Sequence, residues 1–437
     1  MSDMPNNNCD DENDDDASLS LIDLPPEILC HVVSFLPVVS VPALAQSCRV
    51  GQSICDTETV WDALTRREYR IHLQPHSGFS SKAFFQKILV KYGRYLGLWQ
   101  RFDLEHYGSL HQFYYHDHAL HFIEWIPPCN PNVLSNLRVK HFFSIGLDLE
   151  HNVLINAEPK DRWLGGSIIE IKDLKDRLWL DLSNCPDLTL DPLSWFEELN
   201  HFAMIYTGAP YNRGEHQLLT MQFLSLYHKR TNLCFQRLKQ LSPPNPSEVP
   251  IRPGLFKGTY GPHGIEIVNL QFQQTGDDET EFLCIKVTGD PNIPFDQVTF
   301  KGNLSDFIVL SSDEQADLQC LSEVLPDKNQ PKLNWKEHPA QSLIIPNQVQ
   351  TRSDLPQVRN AQSRFLCQCQ IAGHGFRHPQ FISGHFLVIN DDLFAVLFIE
   401  LASLSFYHRI QTDLDRVCFD PLSECESAMS ADAIDQE

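Results

Sequence analysis

From Ala17 to about Arg67, apolar residues recur at helical spacing in three short blocks. The first runs from Pro25-Pro26-Glu27 into Ile28, Leu29, Val32, Val33, Phe35 and Leu36, and stops at Pro37. Prolines are tolerated in a first helical turn, and an acid there faces the positive end of the helix dipole. The second block carries Val41, Leu44, Ala45 and Cys48, and the third Ile54, Val60, Trp61 and Leu64. A helical assembly of about fifty residues is small for a self-sufficient core, and its apolar positions cover more than one face of each helix. Part of that surface is expected to await a partner.

Residues 82–99 continue the helical period through Phe84, Phe85, Ile88, Leu89, Tyr92 and Tyr95 toward Leu98-Trp99, which makes 68–105 a helical linker whose stripe serves packing. Beyond it the period changes. Tyr114-Tyr115, Phe142-Phe143, Ile168-Ile169-Glu170-Ile171 and Ile265-Glu266-Ile267-Val268 bunch or alternate as strands do, punctuated by Gly and Pro. One further helix is expected from about Gln217 to Lys229, and a connector at Ser242-Pro243-Pro244-Asn245-Pro246 follows it. Residues 311–362 are polar and weakly periodic and read as a long loop. Gly384 to Ile389, the Asn390-Asp391-Asp392 turn and Leu393 to Ile399 read as a β-hairpin, extended by a strand through Leu404 and Phe406. No repeat at propeller or solenoid period is present. The fold class is α+β: an N-terminal three-helix unit over 17–67, then a mostly antiparallel, β-barrel-like domain over 106–416 with helical excursions.

The formal net charge of the 437-residue chain is -23. Seven acids with no basic residue among the first sixteen positions mark 1–16 as a disordered acidic tail, and six acids after Arg416 mark 417–437 as another, leaving -10 on residues 17–416. That balance argues against nucleic acid as a partner. The thirteen cysteines are odd in number and irregularly spaced, and the sequence opens without an export leader, so a reduced cytoplasmic and nuclear protein is expected, and the Asn303-Leu304-Ser305 sequon is read as chance. No apolar run approaches the ~18–20 residues of a membrane-spanning helix, so no membrane partner is expected.

Catalytic signatures are missing: no phosphate loop, nucleophile elbow, His-Glu-x-x-His or Cys-x-x-Cys. No catalytic residue and no cofactor are expected. The densest polar constellation is Pro253 to Gly264, joined by Thr288 to Pro294 and by Ile371 to Phe376, each a Gly-marked turn at a strand end. Glycines there leave backbone groups open to approach, and their neighbours can grip a short peptide. The expected binding rim is Phe256, Lys257, Thr259, Tyr260, His263, Asp290, Asn292, Ile293, His374 and Phe376. His374 and His378 lack the partners that would complete a tetrahedral metal set. Cys367 and Cys369 are read as facing opposite ways across a strand, so no metal is assigned. Asp290 would govern tail selection: a buried ionised carboxylate accepts hydrogen bonds without donating them, so it would welcome a terminal amide and repel a terminal carboxylate. The contrast is worth ~2–5 kcal/mol in a desolvated pocket.

The order Leu24-Pro25-Pro26-Glu27-Ile28-Leu29, Phe35-Leu36-Pro37, Leu44-Ala45-Gln46-Ser47-Cys48-Arg49 and Thr59-Val60-Trp61 resembles the F-box. Pro253 to Ile267, Lys286 to Pro294 and Ile371 to Phe376 with the hairpin after it resemble the F-box-only protein 31 family. Members of that family are substrate receptors of Skp-cullin-F-box ubiquitin ligases, with a β-barrel-like domain that takes up extended C-terminal tails, including those of D-type cyclins and of chains ending in an amide. The resemblance implies binding to a Skp adaptor and the cullin-RING ligase core through Leu24, Pro25, Ile28, Leu29, Leu36, Pro37, Leu44, Cys48 and Trp61, and binding of client protein tails by the rim. Relatives also carry a Cys/His cluster that can hold zinc, whereas Ser144 to Leu190 here offers only His151 and Cys185. The low-complexity insert of vertebrate relatives is shorter here. Two rival roles are an F-box scaffold that acts without degradation and a small-ligand-binding β-barrel with a catalytic pocket.

Overall fold

The structure is a computed structural model that describes residues 21, 24–74, 78–104, 106–128, 132–157, 170–174, 177–181, 192–207, 210–212, 217–228, 232–238, 246–259, 264–275, 279–324, 334–349, 356–411 and 414. The acidic tails over 1–16 and 417–437, together with Ile168, Ile169, Cys185, Tyr260 and His263, lie outside the described residues. The chain divides between Arg94 and Tyr95 into two units, with Leu147–Val153 grouped with the first.

In the first unit, helix α1 (Pro26–Ser34) opens on Pro26 with Glu27 in its first turn. A 3-10 turn at Val38–Ser40 leads into α2 (Val41–Ser47), α3 (Arg49–Cys55) and α4 (Glu58–Tyr69). The third apolar block is thus two helices, parted at Asp56 and Thr57. Leu29, Val33, Val41, Ile54, Val60, Trp61 and Leu64 form the buried side. The Trp61 indole N–H donates to the Cys55 carbonyl at 2.7 Å, and its ring packs 5.3 Å from that of Phe85. Arg67 donates to the carbonyls of Ser34 and Leu36, so a cation meets the negative end of α1.

The helical stretch that follows consists of α5 (Ser81–Phe84), a π-turn at Phe85–Leu89 and α6 (Val90–Tyr92). Phe84, Phe85, Ile88 and Leu89 are buried, as a packing stripe requires. Leu98 and Trp99 are not helical, contrary to the sequence expectation. Gly97, at φ 114°, turns the backbone into strand β1 (Gly97–Arg101), a conformation that side chains larger than hydrogen resist.

Among the described residues the second unit contains two large sheets where one was expected, and one two-stranded pair. The first combines β1, β2 (Ser109–His116), β3 (Ala119–Ile126), β4 (Arg138–Leu147), β5 (Val153–Ala157), β6 (Glu170–Leu174), β7 (Arg177–Asp181) and β8 (Asn232–Arg237) in the order β5-β4-β3-β2-β1-β8-β7-β6. Helices α7 (Pro192–Thr207) and α8 (Gln217–His228) precede β8, which pairs with β1 and joins the two halves.

The second sheet is a closed barrel. Its strands are β9 (Gly254–Thr259), β10 (Ile265–Gln274), β11 (Thr280–Lys286), β12 (Val298–Asn303), β15 (Ser363–Gly373), β16 (Arg377–Asn390), β17 (Leu393–Phe398) and β18 (Ser403–Arg409), with β18 pairing back on β9. The interior holds Phe256, Phe282, Phe300, Phe365, Phe386 and Phe394. Ring centroids lie 4.6 Å apart for Phe282 and Phe386 and 4.8 Å apart for Phe256 and Phe394. Cys367 and Cys369 share this inward face with their sulfurs 3.7 Å apart. Positions two apart on a strand point the same way, which overturns the opposite-face reading.

The described residues of the polar stretch over 311–362 are more ordered than a loop. They form α9 (Ser312–Ala316), capped reciprocally by Ser311 and Glu314, then α10 (Leu318–Glu323) and a two-stranded pair, β13 (Gln341–Ser342) with β14 (Asn360–Ala361). Leu310 just before this stretch, and Leu321 and Val349 within it, cover the outer wall of the barrel at Leu387, Leu397 and Phe406. On another side of the barrel, Leu255, Ile267, Val287 and Ile410 pack against Leu110, Tyr114, Ile123 and Trp125 of the first sheet.

Candidate functional site

The nine expected adaptor-binding residues separate into two groups. Leu29 and Trp61 belong to the core of the helical unit. Pro25, Ile28 and Pro37 are exposed, while Leu24, Leu36 and Leu44 are half-buried. Cys48 is exposed and caps α3, its sulfur accepting the Gly51 N–H at 3.2 Å, a bond that lowers the thiol pKa. Sequence reading named Ile28 but missed Val32 and the two most exposed members of the face, Phe35 and Val39. Ile28, Val32 and Phe35 fall at i, i+4 and i+7 on α1, with Phe35 69% exposed, and Val39 in the following turn is 86% exposed. Apolar side chains so uncovered on a small helical unit mark a contact surface.

The expected rim residues also divide. Phe256 and Ile293 are core side chains, and Lys257 and Thr259 are buried within β9, so these four do not line an open rim. His374 is exposed and Phe376 half-buried, with φ of 54° at Phe376 in the tight β15–β16 turn. Two of the Gly-marked turns do meet: the Asn292 side-chain amide donates to the Ala372 carbonyl at 2.9 Å, and the Gly375 N–H donates to the Pro291 carbonyl at 2.8 Å.

Beside this junction the barrel interior ends in charge. Positions 282, 284 and 286 of β11 and 266, 268 and 270 of β10 share the inward parity, which brings Lys286 and Glu266 to the end of the phenylalanine column. The Lys286 ammonium pairs with Glu266 Oε2 at 2.6 Å and with Asp290 Oδ2. Tyr407 donates to Glu266 Oε1 at 3.1 Å. Asp290, 6% exposed, accepts the N–H groups of Asn292 and Ile293 on its other oxygen at 2.6 and 2.9 Å. The carboxylate therefore fixes its own turn while neutralising a lysine.

Burial alone would pull the Lys286 ammonium down, but two carboxylates outweigh it and hold its pKa above the ordinary value. Burial raises the Glu266 carboxyl, and the Lys286 charge, shared with Asp290, does not restore it. Tyr107 is placed over the turn by the Gly289 N–H, which donates to the Tyr107 carbonyl, and by the Phe295 N–H, which donates to the His106 carbonyl at 3.0 Å. Burial and the Asp290 charge push its phenol up to about 12. Its buried hydroxyl has no partner among the described residues. Glu266, Lys286, Tyr407 and Tyr107 all escaped the sequence reading. Among the described residues no three His, Cys, Asp or Glu side chains gather closely enough to hold a metal ion, His374 and His378 included.

Comparison with known proteins places both halves. A family profile described as F-box-like matches residues 21–67, and one described as a cyclin D1 binding domain matches residues 235–413. F-box only protein 31 of Rattus norvegicus is 30% identical over 90% of this chain and 85% of its own length. The Mus musculus protein of that name is 29% identical with the same coverage, and the Homo sapiens protein 28% identical over 90% of this chain and 83% of its own. A helical unit with an uncovered apolar face, a closed antiparallel barrel and this extent of matching sequence lead to one conclusion: the chain belongs to the F-box only protein 31 family.

Proposed function

We propose that this chain is the substrate-recognition subunit of a Skp-cullin-F-box ubiquitin ligase, working in cytoplasm and nucleus and carrying no active site of its own. The observation that carries the reading is the exposed stripe of Ile28, Val32, Phe35 and Val39, which a Skp adaptor would cover. In this reading the second unit holds a client while ubiquitin transfer happens on other subunits. The ring-filled barrel interior disfavours a small-ligand barrel.

The client reading is finer. The joined turns at Pro291–Asn292 and Ala372–Gly375, beside the charge cluster, would receive an extended C-terminal tail. Glu266 and Asp290 share one lysine, so the cluster carries a net negative charge when both are ionised, which favours a tail ending in an amide over one ending in a carboxylate. The matched cyclin D1 binding profile makes a D-type cyclin tail the first client to try.

The test is co-purification with a Skp subunit, together with binding of peptide pairs that differ only in a terminal amide or acid. Expected are a stable complex, lost when residues 21–67 are removed, and an amide preference of roughly 2 kcal/mol, about thirtyfold. A chain that stays monomeric beside the adaptor would overturn the ligase reading. Equal affinities for the paired peptides would overturn the tail selection alone. A complex that forms but leaves client half-life unchanged would point to a scaffold.

A further inference from the structure

The wall of the barrel away from the charge cluster contains a cation without a counter-charge among the described residues. Arg364 on β15 and His385 on β16 are neighbours on the outer face: in the strand register Arg364 lies opposite Leu387 and Leu366 opposite His385, so the two side chains stand on one diagonal. Both are enclosed, Arg364 at 2% and His385 at 0% exposure, beneath the 308–349 stretch. Arg364 Nη2 donates to Gln315 Oε1 at 2.8 Å, and that oxygen also accepts the Ile344 N–H at 3.1 Å. Arg364 Nε and Nη1, and both ring nitrogens of His385, have no partner among the described residues. Their cross-strand neighbours, Leu387 opposite Arg364 and Leu397 opposite His385, belong to an apolar cluster.

Folded proteins do not leave a guanidinium in such a state, because a buried charge without a partner is among the costliest features a fold can carry. No carboxylate opposes the burial that draws the Arg364 guanidinium down to about 10, and burial with the Arg364 charge draws the His385 imidazole down to about 3. At neutral pH the imidazole is uncharged and has one N–H to give. The two neighbouring side chains thus offer one full positive charge and at least three buried N–H donors, with only a neutral amide oxygen among the described residues to receive them.

We infer that Arg364 and His385 hold a small inorganic anion, of chloride or bromide size, which joins α9 to the barrel wall. The ion supplies the charge that the described residues omit and accepts from the guanidinium and the imidazole together. Because Gln315 from α9 completes the enclosure, loss of the anion would loosen this helix before the barrel itself.

The test uses the full-length chain with bromide as the probe, in mixtures of sodium bromide and sodium gluconate at fixed ionic strength, so that general screening stays constant. The midpoint of thermal unfolding is expected to rise by about 2 °C for each tenfold increase in bromide above its dissociation constant. Arg364→Met, which removes the charge while keeping much of the volume, is expected to melt at one temperature in every mixture. Diffraction at the bromine edge gives a reading that needs no variant: an anomalous peak within hydrogen-bond distance of Arg364 Nε and His385 is expected. A midpoint indifferent to bromide with no peak at the site would overturn the inference, and so would a bromide effect that survives in Arg364→Met.

Discussion

Replacing Lys286 with methionine tests the charge cluster at the end of the barrel. The ammonium lies 2.6 Å from Glu266 and also touches Asp290, and all three side chains are buried. At an effective dielectric constant of about 20 each contact is worth roughly 6 kcal/mol of attraction, most of it offset by the desolvation of the charges. What remains measurable is the cost of leaving two carboxylates without their cation, about 3–5 kcal/mol at pH 7. Urea unfolding of the wild type and Lys286→Met, followed by tryptophan fluorescence, reads this directly.

The pH dependence carries the sign. In the wild type the Lys286 pKa is raised on folding, so its contribution is complete below the ordinary 10.5 and is lost as pH rises through the folded value. In the variant Glu266, already raised by burial, loses its lysine and rises further. Taking up a proton then relieves the folded state, so the variant regains up to about 1.4 kcal/mol per pH unit on acidification from pH 7. The double variant Lys286→Met/Glu266→Gln is expected to recover most of the loss at pH 7, since Asp290 keeps its two backbone N–H bonds. A single variant within 1 kcal/mol of wild type, on the order of a surface pair, or a deficit unchanged between pH 7 and 5, would refute the reasoning.

On the helical unit, Phe35→Ala and Val39→Asp are expected to leave the melting temperature within about 1–2 °C of wild type while weakening adaptor capture more than tenfold, because these side chains touch little within the chain. Trp61→Ala, by contrast, removes a buried ring and its bond to Cys55, and is expected to cost about 3–5 kcal/mol by the same denaturation assay. Among the described cysteines, iodoacetamide is expected to modify Cys48 first in the native protein, since its thiol is exposed and its pKa is lowered by the Gly51 N–H. Cys284 and Cys369, buried with raised pKa values, are expected to stay unmodified until the barrel opens, as mass spectrometry of the labelled peptides would show.

The helical unit was legible because a Leu-Pro start, an apolar 3.6-residue period and a terminal Trp all point to one solution. The hairpin from Gly384 to Ile399 was legible because a polar turn sits between two apolar runs. The first sheet was not, for two physical reasons. Tyr114-Tyr115 and Phe142-Phe143 marked strands, but bunched apolar residues do not tell which face or which sheet a strand joins, and the central pairing joins β1 to β8, far apart in sequence. The 311–362 stretch misled because a covering segment needs only sparse apolar anchors such as Leu321 and Val349.

The interior charges were hidden in a different way. Counting by twos from Phe282 through Cys284 reaches Lys286, so a lysine at an inward position was a signal open to reading. The same count places Cys367 beside Cys369. Asp290 stood out for its turn, but nothing local revealed that Lys286 would occupy one of its oxygens. Such pairings are set by the closure of the barrel, not by neighbours along the chain.

The column of phenylalanine rings along the barrel axis constrains how this domain can change. Stacked side to side from Phe256 to Phe394, the rings leave no lumen to be widened or relined, and a polar substitution among them would cost the wall its support. New specificity must therefore arise by altering the turns at the ends of the strands or the outer surface, where lengths and residues can drift while the plug of aromatic rings stays as it is.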